Sequence, residues 1–234
     1  QALIGLNGYR AFADVQRRVN RRTAVGLSYS YFHVDYPRVF GEADSHTAML
    51  QVSRQFGRDW VLQLGGGAFW TDFTGTRTVR LDPVIAELLG LSEGREAFNT
   101  VNLQSAFMGG LTRNWRRSSV SMSYQRGSNP GNGFLLLSRQ ESAVLSYTYN
   151  SGQRWSVGGH TSWWATKGLG GFAGSFTSYG VGSTFSYRLW ESLHFTSQFD
   201  VRRFQSSSSG FNRNGVRVGA GLSFSPGEIP ISFR

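Results

Sequence analysis

Apolar and polar residues alternate with period two along most of this chain, and few folds accept that pattern over such lengths. Val25, Leu27, Tyr29 and Tyr31 fall on one side of their segment, with Gly26, Ser28 and Ser30 on the other. Leu193, Phe195, Phe199 and Val201 likewise oppose His194, Thr196, Gln198, Asp200 and Arg202. Side chains of a strand point alternately to its two faces, so this pattern predicts strands with one apolar face. Eleven such segments are expected, near 3–19, 23–36, 46–56, 60–75, 99–112, 118–127, 134–149, 154–166, 176–189, 192–205 and 213–225. Many are longer than the usual globular strand of about 5–6 residues, and long enough for the 9–11 that a tilted strand needs to cross a bilayer.

The connections sharpen this. Short ones at Asn20–Arg22, Gly57–Asp59, Arg113–Arg117, Asn150–Gln153 and Trp190–Glu191 alternate with longer ones at Pro37–Ser45, Thr76–Phe98, Ser128–Gly133, Lys167–Ser175 and Ser206–Asn212. Short periplasmic turns alternating with longer extracellular loops belong to an up-and-down barrel in an outer membrane. A soluble sandwich does not need that alternation, and its outer face carries many charges. Here the polar face is Ser, Gly, Thr and Gln, which suits a narrow wet lumen. Charged residues are only 16% of the chain, and aromatics are 15%. The aromatic load excludes a disordered chain, and the absence of cysteine excludes disulfides and thiolate metal sites. No apolar run reaches the roughly 18 residues of a transmembrane helix. The net charge is +10, and every basic residue but Lys167 is Arg. Arg17, Arg18, Arg21, Arg22, Arg54, Arg58, Arg113, Arg116, Arg117, Arg154 and Arg188 gather at short turns, as a negatively charged lipid surface favours; a nucleic-acid partner is not expected. Trp60, Trp115, Trp155 and Trp190 stand at the same turns, where an aromatic girdle would sit.

The last strand reads Arg217-Val218-Gly219-Ala220-Gly221-Leu222-Ser223-Phe224. It resembles the C-terminal assembly signal of bacterial outer-membrane β-barrels, polar-x-Gly-x-x-hydrophobic-x-aromatic, with Arg217, Gly219, Leu222 and Phe224 in the four defined positions. The turn style of Ser53–Trp60 also resembles that of uncharacterised acidobacterial outer-membrane barrels. The resemblance implies an outer-membrane location and recognition by the barrel-assembly machinery. It names a fold and a compartment, and no activity. The expected fold is thus an all-β, antiparallel up-and-down transmembrane barrel of about twelve strands, occupying 1–225. A periplasmic tail over 226–234 is expected, because Pro226 and Pro230 interrupt any ladder. Eleven strands would leave Gln1 on the opposite side from the tail. A twelfth strand upstream, an exported segment upstream, or a barrel that is odd-stranded or completed by another chain would each resolve the parity.

By alternation the lumen-lining set is Arg10, Asp14, Gln51, Gln63, Gln104, His160, His194, Gln198, Asp200, Arg202 and Arg217. Its near balance of fixed charge predicts weak ion selectivity, and its glutamines have the reach to fill much of a narrow interior. No residue is assigned to catalysis: a relay through His194, Asp200 and a neighbouring Ser is expected by chance in a chain with 30 Ser. No cofactor or metal is assigned; His33, Asp35 and His46 flank the first long loop without regular ligand spacing. Within Thr76–Phe98, Asp82 is placed to cap, Pro83 to start and Gly90 to stop a short helix, which either stabilises its loop or folds over the mouth as a plug. The expected function is a porin-like narrow channel for small polar solutes. Alternatives are a structural barrel that anchors or surrounds an envelope partner, and an autotransporter-type translocation domain.

Overall fold

The computed structural model describes residues 5–37, 41–130, 137–152, 154–169, 174–190, 192–207 and 210–224; the expected tail at 226–234 lies outside them. Eleven strands form one sheet in chain order. They are β1 (Asn7–Asn20), β2 (Thr23–Tyr36), β3 (Gly41–Phe56), β4 (Trp60–Arg80), β5 (Glu93–Asn114), β6 (Ser118–Asn129), β7 (Ser138–Asn150), β8 (Trp155–Gly168), β9 (Ser175–Arg188), β10 (Leu193–Ser206) and β11 (Asn212–Phe224). Each pairs antiparallel with its neighbours. β1 and β11 run in the same direction and share no ladder among the described residues. No described helix is long and apolar enough to cross a membrane.

The register carries one face around the sheet. Val15, Leu27 and Leu50 lie in one cross-strand row, and Phe199 and Val218 in another. Their side chains are exposed, Val15 at 72% and Val218 at 73%. An apolar face left in the open over the whole sheet is what hydrocarbon contact requires. On this face Trp60 and Trp70 bracket the first half of β4. Ten residues at about 3.3 Å each span ~33 Å along the strand. At a tilt of about 40° that is ~25 Å of height, the apolar band of an outer-membrane barrel.

Three strand boundaries run well past expectation. β4 and β5 continue to Arg80 and Glu93, so residues 76–80 and 93–98 pair instead of forming loop. Cross-strand partners hold this extension: Arg77 binds Glu96 at 2.8 Å and stacks on Phe98. β3 starts at Gly41 because Ala43 is buried and Asp44 meets His33 across the ladder. The shortened β4–β5 connection carries the helix α1 (Pro83–Leu89), capped by the Asp82 carboxylate on the Val84 amide at 3.0 Å. Gly90 ends it at φ 66°, a left-handed conformation that glycine adopts at no steric cost. Val84 and Leu88 on this helix are exposed.

The ladder between β5 and β6 is incomplete. It runs from Asn114–Ser119 only to Phe107–Arg126, although β5 extends far beyond. Past Arg126, β6 stays paired with β7 up to Asn129–Ser138 and turns in over the other face of β2–β5, the concave one. Ser128 Oγ meets Ser45 Oγ at 2.8 Å, the Tyr36 hydroxyl donates to the Pro130 carbonyl, and Arg139 donates to Gln104 at 3.3 Å. Phe32, Val34, Tyr36, Ala43, Phe69, Phe73 and Ala106 are buried beneath, together with Leu137 and Leu169 from the long-loop end. Each fully buried side chain of this size contributes about 1.5–3 kcal/mol. The inserted end of β6–β7 is therefore held by an apolar core.

The sheet also depends on close backbone approach at Gly67, where an added Cβ would collide with the Ala48 carbonyl, whereas Gly66 has open space. Gly67→Ala is expected to cost about 1–3 kcal/mol and Gly66→Ala close to nothing. Urea unfolding of the two variants in lipid vesicles checks the difference.

Candidate functional site: the concave face

All eleven residues expected in the lumen lie on one face of the sheet. Following the register, Arg10 and Asp14 sit opposite Phe32 and Ser28, Gln51 between Gly26 and Gly65, Gln63 opposite Gly110, and Gln104 opposite Phe69. His160 opposes Gly182, Gln198 opposes Gly219, Asp200 lies between Gly182 and Arg217, Arg202 opposes Gly215, and His194 opposes Ser223. The partners are mostly Gly and Ser, which leave room for the long side chains. Gln51 donates to Ser28 at 2.7 Å, and Ser121 and Ser146 exchange a hydrogen bond at 2.7 Å.

The imagined His194–Asp200 pair does not form. Asp200 instead meets His160 at 3.3 Å, from two strands away. The contact crosses β9 at Gly182, where any Cβ would collide with both side chains. Sequence reading missed the pair because neither strand carries a sign of the other. The available signal was the Gly180-Val181-Gly182 spacing, which removes side chains from the concave side of β9.

The concave face has two ends of opposite character. Toward the short turns a cavity of about 440 Å³ is lined by Gln16, Arg18, Arg22, Gln51, Gln55 and Gln63 among others. Toward the long loops lie the buried Phe32, Phe69 and Phe73, on the same side as the polar residues. Their parity was legible in the alternation. What they pack against was not, because the inserted strands come from more than 50 residues further along the chain.

Trp60 and Trp155 lie on the opposite, apolar face, and Trp115 and Trp190 stand in the short turns at the same end. Arg113 lies over the rings of both Trp60 and Trp115, at 4.8 and 4.4 Å. A second aromatic group at the other end was not anticipated: Tyr9, Tyr31 and Trp70 with His33 and His46. His33 contacts Asp35 and Asp44 there, while His46 binds the Tyr29 hydroxyl, so His33, Asp35 and His46 do not converge. Among the described residues no group of three or more such side chains is arranged to hold a metal. In the final strand Arg217 and Gly219 face the concave side, and Leu222 and Phe224 the apolar side.

Replacing Asp200 with Asn is expected to move the ring nitrogen shifts of His160 in a ¹⁵N-histidine NMR spectrum. Asp14→Asn leaves them in place. Unmoved His160 signals in Asp200→Asn would contradict the pair.

No family model and no curated protein matches this chain. Among solved structures, the FrpB iron transporter of Neisseria meningitidis (F3-3 variant) aligns at a TM-score of 0.56 and 13% identity, over 86% of this chain and 36% of that one. This chain thus spans little more than a third of FrpB. The CymD monoaromatic hydrocarbon channel aligns at 0.42 and 9% identity, covering 94% of this chain and 86% of its own. OmpT, an outer membrane protein of Vibrio cholerae, aligns at 0.36 and 9% identity, covering 93% and 89%. The FrpB likeness, the uninterrupted antiparallel order and the exposed apolar face agree: this chain has the fold of the bacterial outer-membrane β-barrels.

Proposed function

We propose that the chain forms the wall of a narrow outer-membrane channel for small solutes, constricted at its long-loop end by the inserted β6–β7 strands. The observation that supports this most is the change along the concave face, from a Gln- and Arg-lined cavity at one end to the Phe32–Phe69–Phe73 layer at the other. Polar wall groups replace part of a solute's hydration, and an apolar constriction blocks water and ions until it widens. In this reading the two aromatic groups mark the lipid interfaces, and the short-turn arginines meet lipid headgroups. β11, with Arg217, Gly219, Leu222 and Phe224, is the strand offered to the assembly machinery. Antiparallel closure between β1 and β11 takes a strand of opposite direction, as the expected twelfth strand provides.

A second reading, a structural barrel that anchors an envelope partner, draws on the outer edges of β1 and β11, which share no ladder among the described residues. Planar-bilayer recording separates the two. The channel reading expects small unitary steps, and Phe73→Ser is expected to raise them by about twofold by wetting the constriction. Folded protein that stays silent with and without Phe73→Ser would overturn it.

A further inference from the structure

We infer that the cavity between β1–β2 and the inserted strands is a binding site for a small amphipathic carboxylate. The inference deepens the channel reading, on which it rests, by naming a class of solute. The cavity measures about 460 Å³, within the range of small-molecule sites. Arg10 lines one wall, Phe32 and Val34 form an apolar floor, and Gln125, Gln140 and Ser142 face it from β6 and β7.

The lining is selective in charge. Arg10 is its one cation apart from a neighbouring His33, whose own contacts are to Asp35 and Asp44. No carboxylate lines the cavity among the described residues. Arg10 has no ion pair or hydrogen bond among the described residues, unlike Arg77, which pairs with Glu96, and Arg126 and Arg139, which pair with Glu141. Asp14 is the acid nearest along its own face of β1, four residues and so about 13 Å away. A guanidinium without an anion, in a cleft that holds no competing acid, offers a two-pronged seat for a carboxylate. The amides and hydroxyl across the cleft supply neutral donors for its free lone pairs. The remainder of the ligand then lies on Phe32 and Val34, which are 8% and 4% exposed. A fully polar anion would leave that floor without contacts, and a neutral apolar molecule would leave Arg10 unpaired.

The test is a ¹⁹F NMR titration of the refolded protein with 4-fluorobenzoate. Saturable broadening is expected, with affinity lowered about tenfold, the loss of one charge-assisted contact, in Arg10→Gln. Arg10→Lys retains part of it, and 4-fluorobenzyl alcohol, matched in shape but uncharged, binds about tenfold more weakly than the acid. Arg18→Gln, on the same face but outside the cavity, is expected to change nothing. Heat-modifiable gel migration confirms that each variant is folded. Equal binding of acid and alcohol, no change in Arg10→Gln, or an equal loss in Arg18→Gln overturns the site. Carboxylate binding by a protein that conducts nothing supports the site and overturns the channel reading alone; conductance without carboxylate binding does the reverse.

Discussion

Inside a hydrocarbon layer every backbone N–H and C=O must find its partner within the protein, and the rest of this structure follows from how the eleven strands meet that demand. Each interior strand is paired on both sides, over 13 or more rows in most ladders, so the sheet holds its register without help from a packed soluble core. With register fixed, alternation sorts the side chains: Leu27, Leu50 and Val218 to the outside, Ser28, Gln51 and Gly219 to the concave side. The same demand bears on the two ladders that end the sheet. β1 and β11 run in one direction and share no ladder among the described residues.

The ladder fails at one internal place, and the molecule's most specific feature is built there. The upper half of β5 gives up β6, and β6–β7 enter the cup formed by β1–β5. Two kinds of contact offset the lost pairs: polar bridges from Ser128 to Ser45 and Arg139 to Gln104, and burial of Leu137 against Phe73 and its neighbours. The outward parity of β6–β7 is thereby turned toward the interior, which is why Arg126, Arg139 and Glu141 form a partly buried ion network on a face that would otherwise meet lipid. A charged network is costly to leave in hydrocarbon and acceptable against a polar wall.

How much of this was legible in the sequence depends on the range of the interaction. Period-two alternation is local, so strand positions, the set of residues that share the concave face and the segregation of Trp60, Trp115, Trp155 and Trp190 to one end could be read directly. So could the helix, since Asp82, Pro83 and Gly90 act within a few residues of themselves. The extension of β4 and β5 was missed because Arg77 and Glu96 read as loop charges until they are seen as partners. The His160–Asp200 contact depends on a glycine in a third strand. The inward turn of β6 has only Gly127-Ser128-Asn129-Pro130 to announce it, and that segment reads equally well as a simple turn. Phe32, Phe69 and Phe73 were the missed clue: three rings on a face rich in Ser, Gly and Gln, all toward the same end.

The inserted β6–β7 strands are what make a constricted channel and a carboxylate cleft out of an otherwise open concave wall. Because the chain has no cysteine, their position is directly measurable. Ser45→Cys combined with Ser128→Cys puts two thiols where two hydroxyls now stand 2.8 Å apart. Mild oxidation of the folded protein in vesicles should close a disulfide in nearly every molecule, seen as a shift in unreduced gel migration that dithiothreitol reverses. Two thiols that remain free and react fully with maleimide would place β6 back against β5 and contradict the account.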